Sequence, residues 1–231
     1  MNFVFDETRF KAVIFDFDGT LYDFKRLSLW LVVHAPWRTA KIGAERRTRR
    51  RLKGSDFGSK ENYDDAFYGE LAREMKTTPE KAKKWYETFY TQHMVRVLKR
   101  HYRAREGVQK LLDSLRAKSV KLAVFSDYPL VAERLSAIGL DASSFDEVFA
   151  AGDIGGFKPS ARLFQRVAES LGVEPSQCLV VGDRDDTDGA GARSSGMQFV
   201  QIRNHRMLKA DAATFDHPLL TWEEFLASFK L

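Results

Sequence analysis

Asp16-Phe17-Asp18-Gly19-Thr20 sets two carboxylates one residue apart and runs them directly into a glycine. Side chains one residue apart point to opposite faces of a strand, so both can approach a single ligand only where the strand ends and turns. Gly19 supplies that turn. Such a pair can hold a divalent cation, and one of its carboxylates can attack an electrophile such as phosphorus. The competing reading is a strand-end Asx turn, with Asp16 or Asp18 capping the backbone that follows.

Three later segments place polar groups at comparable points. Ser126 closes the apolar run Leu122-Ala123-Val124-Phe125, where a hydroxyl and adjoining N–H groups can donate to phosphate oxygens. A plain turn or helix cap before Pro129 is its alternative. In Gly156-Phe157-Lys158-Pro159 the proline holds Lys158 extended, and Ser160 is the expected N-cap of the next helix. A lysine there would offset the charge of nearby carboxylates. Asp183 follows Gly182 at the end of Cys178-Leu179-Val180-Val181 and adds a third acid to the same rim. Three converging acids require a cation, and oxygen donors without Cys or His clusters suit Mg²⁺ better than zinc. Asp185, Asp186 and Asp188 follow closely; for the first two, a solvated helix N-terminus is an equal reading.

The elements that must position these groups are legible in the hydrophobic pattern. Ala12-Val13-Ile14-Phe15 reads as a strand buried on both faces. From Arg105 onward helices and strands alternate as in βαβ units. Val108, Leu111, Leu112 and Leu115 make a helical stripe before the Leu122 strand. Leu130–Ile138 reads as a helix stopped by Gly139, and Phe145–Ala150 as a strand. Ala161–Leu171, stopped by Gly172, is a further helix before the Leu179 strand. Gln198–Ile202 is the expected last strand and Trp222–Phe229 a terminal helix. Residues 21–103 break this alternation and look helical throughout. Tyr63, Phe67 and Leu71 form one stripe there; Ala82, Trp85, Phe89 and Val97 form another after a Thr78-Pro79 start.

The four motifs, in this order, resemble those of the haloacid dehalogenase superfamily of phosphohydrolases. The resemblance implies an α/β fold: a doubly wound parallel, Rossmann-like core from residues 1–20 and 104–231, with an all-helical cap, residues 21–103, inserted between the first two motifs. Hinges would lie near residues 21–24 and 101–106. It implies a Mg²⁺-dependent phosphatase of small phosphorylated metabolites, with Asp16 as nucleophile forming an aspartyl-phosphate and Asp18 as general acid and base. Ser126 and Lys158 would bind the phosphoryl group. Asp16, the backbone carbonyl of Asp18, and Asp183 would ligate the metal, with Asp188 supporting them from behind, a role open also to Asp185 or Asp186. Superfamily members that cleave carbon–halogen bonds lack the Asp18 equivalent, so its presence argues for phosphoryl transfer. A phosphomutase is the alternative within the family. A non-catalytic module docking an acidic partner is the alternative outside enzymes. Two residues depart from the family pattern: Asp127 where Asn is frequent, and Arg184 where a small Ser is frequent. Arg184 could engage substrate or pair with Asp185 or Asp186.

Bulk properties narrow the setting. The chain has 231 residues, a net charge of +5 and one cysteine, Cys178, so no intrachain disulfide is possible. A reducing, cytoplasmic location is expected, and the acidic, polar first ten residues do not read as a signal peptide. Residues 21–103 hold 20 of the 37 Lys and Arg but only 10 of the 32 Asp and Glu. The densest run, Arg46 to Lys53, is either a field drawing anionic substrate or partner, or a solvated helix face. Leu27–Trp37 is apolar and too short to span a bilayer; packing inside the helical segment is preferred over a peripheral membrane contact. Nucleic-acid binding is not expected, because Trp85, Tyr86, Phe89 and Tyr90 follow helical core spacing instead of interleaving with arginines. His34, His93 and His101 form no metal-ligand pattern.

Overall fold

The computed structural model describes residues 3–204, 207 and 215–229. Six parallel strands form one sheet: β1 (Ala12–Phe15), β2 (Lys121–Ser126), β3 (Glu147–Ala150), β4 (Cys178–Gly182), β5 (Gln198–Ile202) and β6 (Leu219–Leu220), in the order β3-β2-β1-β4-β5-β6. The order reverses at β1, with β2 on one side and β4 on the other, and a doubly wound sheet opens its ligand crevice at that point. The edge strand β6 was not anticipated, since two residues are too few to carry a hydrophobic period.

Both faces of the sheet are covered, which is why its strands read as unbroken apolar runs. Ala12 and Ile14 point toward α8 (Ala161–Leu171), packing with Leu163, Phe164 and Val167. Val13 and Phe15 point the other way, toward α6 (Val108–Ala117) and α7 (Val131–Ile138). Gly139 and Gly172 end α7 and α8 as expected, and the terminal helix, Trp222–Ala227, stops two residues early.

Between β1 and α6 the chain is helical: α1 (Leu27–Val33), α2 (Thr39–Leu52), α3 (Lys60–Met75), α4 (Pro79–Trp85) and α5 (Thr91–His101). Thr78 caps α4 with its side chain and Pro79 occupies the first turn. A π-helical turn, Tyr86–Tyr90, joins α4 to α5 and shifts the helical phase. Tyr86 and Tyr90 take the buried positions, and Phe89 is only half-buried. This helical segment shares one continuous apolar core with the sheet, and the Tyr63 and Phe67 rings pack at a tilt against Phe157. Asp56 ties the two parts further, accepting from Arg162 and from Ser160 Oγ at 2.8 Å. Ser160 takes the N-cap position of α8 as expected, but its hydroxyl donates to Asp56 and makes no capping bond to the helix.

The apolar Leu27–Trp37 segment packs only in part. Leu31 is buried and Trp30 stacks on His101, but Leu29, Val33 and Trp37 are exposed, Trp37 to 74%. His34 and His101 share a 2.7 Å contact through Nε2, and His93 Nε2 bonds the Leu31 carbonyl. No described helix is long and apolar enough to cross a membrane.

Candidate active site

Strand register brings the sequence motifs to one rim. Phe15 lies level with Val124 of β2 and Val181 of β4, so Asp16, Ser126 and Asp183 emerge within a residue or two of one another past the strand ends. Asp16 N–H still donates to the Val181 carbonyl at 2.8 Å, pinning Asp16 to the sheet. Gly19 has φ +92°, and a Cβ on it would collide with the Asp183 carboxylate. Gly182 is equally restricted: a Cβ there would come 2.6 Å from the Asp188 side chain. Both glycines exist to let carboxylates approach backbone.

Asp16, Asp183 and Asp188 each offer a carboxylate oxygen, all within 4.8 Å of one another. Lys158, 3% exposed, places Nζ 2.8 Å from Asp16 and 2.8 Å from Asp188. One ammonium cannot neutralise three carboxylates, two of them buried. Burial, and then repulsion from Asp188, pushes the Asp16 carboxyl up to about 7 despite Lys158. Burial and repulsion from Asp16 raise Asp183 as well, and burial raises Asp188. Burial opposes the charge on Lys158, but Asp16 and Asp188 outweigh it and hold the ammonium above its ordinary range. An all-oxygen, under-neutralised cluster of this kind fits a hard divalent cation.

Partners around the cluster fix its orientation. Thr20 Oγ1 donates to Asp16 at 3.2 Å, and Asn204 Nδ2 donates to Asp183 at 2.9 Å. Asp127 accepts the Lys158 backbone N–H at 3.0 Å, so the unexpected acid beside Ser126 anchors the lysine loop. Arg184 pairs with Asp186, Nη2 to Oδ2 2.7 Å, and Lys53 joins the same carboxylate. Asp186 is thereby taken up at the surface, while Asp188 is the acid at Lys158.

Asp18 stands apart from this cluster. Its carboxylate accepts from Tyr22 Oη at 2.6 Å and from Arg134 Nη2. Arg134, 1% exposed, also donates Nη1 to Ser126 Oγ at 2.9 Å and lies 4.1 Å over the Phe17 ring. The two carboxylates of the first motif thus have separate partners: Asp16 with Lys158, Asp18 with Arg134. Ser126 Oγ accepts further from Tyr128 N–H, leaving its own proton free to donate.

Sequence reasoning missed Arg134, Tyr22, Asn204 and Arg105, whose guanidinium holds the Gly19 and Thr20 carbonyls at 3.0 and 2.9 Å. Arg134 left a signal: it sits with Val131, Leu135 and Ile138 on the buried stripe of α7, where a charge needs a partner.

Residues 10–196 match the family model described as haloacid dehalogenase-like hydrolase. The chain belongs to the haloacid dehalogenase-like hydrolases. It is 27% identical to a glyceraldehyde 3-phosphate phosphatase of Methanothermobacter thermautotrophicus over 84% of this chain and 86% of that one. It is 28% identical to a phosphoserine phosphatase of Thermus thermophilus, over 61% of this chain and 54% of that protein. For the curated relatives matched most strongly, the chain spans about half of their length or less. A β-phosphoglucomutase structure from Clostridium difficile superposes with a TM-score of 0.63 at 19% identity, covering 96% of this chain and 97% of that one, which shows a shared haloacid dehalogenase-like fold.

Proposed function

We propose that the protein is a Mg²⁺-dependent phosphatase that hydrolyses a small phosphate monoester through an aspartyl-phosphate on Asp16. The observation that carries this reading is the separation of the two motif carboxylates onto different cations, Lys158 for Asp16 and Arg134 for Asp18. Two acids with different surroundings suit two roles. The Asp16 carboxylate attacks phosphorus in line; Lys158 and the Ser126 hydroxyl hold the phosphoryl oxygens as the bond to the leaving oxygen breaks. Asp18 gives that oxygen a proton and then takes one from the water that releases phosphate from Asp16. Tyr22 and Arg134 set the direction from which Asp18 acts.

Asp16, the Asp18 carbonyl and Asp183 would hold the metal, with Asp188 behind them. When bound, the ion offsets the negative charge that this cluster and a phosphoryl group share. Residues 21–103 act in this reading as a cap over the rim, hinged near residues 21–24 and 101–106. The phosphatase names of the relatives at 27% and 28% identity support the reaction class. The test is hydrolysis of p-nitrophenyl phosphate with Mg²⁺ and after chelation, in the native protein and in Asp16→Asn. Metal-dependent turnover lost in Asp16→Asn is expected; turnover that survives the substitution would overturn the assignment.

A further inference from the structure

The basic run on α2 separates into members with and without partners. Arg47 Nε lies 2.6 Å from Glu74, and Arg51 Nε 3.0 Å from Glu70, both on α3. Arg49 turns inward: it pairs with Glu45, donates to the Asp127 carbonyl at 2.8 Å, and lies 3.8 Å over Tyr128. Lys53 pairs with Asp186. Arg46 and Arg50, one turn apart on one face of the helix, have no ion pair among the described residues.

These two arginines line a cavity of about 950 Å³ that also reaches Asp18 and Asp183. They also line a recess of about 200 Å³ containing Lys158 and Asp127. The cavity is much larger than a phosphoryl group and is in the size range of metabolite sites. Leu31, Tyr90 and Met94 form part of its wall. Three of its four acids have cationic partners: Asp18 has Arg134, Asp185 has Arg193, and Asp186 has Arg184 and Lys53; the fourth, Asp183, belongs to the acid cluster with Asp16 and Asp188. No acid of the cavity pairs with Arg46 or Arg50 among the described residues, so both guanidiniums are open to an anion that enters.

We propose that Arg46 and Arg50 form a second anion subsite, and that the substrate is a phosphate monoester whose leaving group ends in a carboxylate or a second phosphate. Guanidinium groups suit either anion, because their forked donors can bind two oxygens at once. This substrate class rests on the phosphatase reading above.

Two measurements test the subsite, comparing the native pair with Arg46→Gln/Arg50→Gln. The first is kcat/KM on glycerol 3-phosphate, whose tail is neutral, on 3-phosphoglycerate and on 1,3-propanediol bisphosphate. The native protein should prefer at least one anionic tail by roughly tenfold or more, and the double variant should lose most of that preference, chiefly through KM. Which tail is preferred distinguishes carboxylate from phosphate. The second is calorimetric binding of the same three compounds in the Asp16→Asn background, which needs no turnover. An affinity preference that disappears with the arginines supports the subsite even if the phosphatase reading fails. Equal affinity for neutral and anionic tails, or a preference that survives loss of both arginines, overturns the subsite while leaving aryl phosphate hydrolysis to judge the reaction.

Discussion

Ion pairs at the rim of the sheet and ion pairs between α2 and α3 use the same side-chain chemistry under opposite conditions. At the rim, Lys158 and the Asp188 side chain are 3% and 2% exposed and share one network with Asp16 and Asp183. Between α2 and α3, Arg51 is 53% exposed and meets Glu70 and Glu74, which are 13% and 14% exposed, at the surface. Burial makes the rim charges interdependent, because each must be offset by its neighbours or change protonation. Solvent screening makes the α2–α3 pairs nearly independent of one another. The rim concentrates buried charge, whereas the helical segment spreads most of its charge over the surface, with the buried Arg49–Glu45 pair as an exception.

Three experiments bear on that contrast. Lys158→Met should have the largest effect, destabilising the metal-free protein by roughly 3–5 kcal/mol, because it leaves buried carboxylates unpaired. Urea unfolding followed by circular dichroism measures it, and a loss below about 1 kcal/mol would erase the distinction between rim and surface.

The second is a pH series. The folded-state carboxyl of Asp16, near 7, stands above its ordinary value of 3.8. A raised acid favours folding below its unfolded value and loses that contribution as pH rises through the folded one. Metal-free stability should therefore decline from about pH 4 to above pH 7, and the gain in melting temperature from Mg²⁺ should grow over the same interval. An equal gain at about pH 5 and about pH 8 would detach the metal from these carboxylates.

The smallest effect is expected for Arg51→Gln, roughly 0–1 kcal/mol by the same unfolding measurement and reduced further by salt. A larger loss would mean that the α2–α3 pairs act as a coupled network.

What the sequence disclosed and withheld follows the same division. β1, β2 and β4 were legible because strands buried on both faces need contiguous apolar runs, and Asp16, Ser126 and Asp183, at or just past their ends, were legible with them. Lys158 stood out through its short local pattern; Asp188 was open against Asp185 and Asp186 until its contact with Lys158 set it apart. Arg134 was legible only as a charge on the buried stripe of α7; its partner Asp18 lies 116 residues away and only the third dimension joins them. The basic run was visible as composition, but which of its members had partners depended on α3, on Tyr128 and on Asp186. The exposed Leu29, Val33 and Trp37 show the converse limit: apolar sequence predicted burial, and the packing of α1 delivered it fully for Leu31 and in part for Leu27, Trp30 and Val32.

The most direct measurement of the central claim is acid-quenched peptide mass spectrometry of Asp18→Asn protein incubated with Mg²⁺ and an activated aryl phosphate. Without Asp18 to activate water, the phosphoryl group should accumulate on the peptide containing Asp16. Turnover by the native protein with no phosphoryl group on Asp16 in the variant, or with it on another residue, would contradict the account.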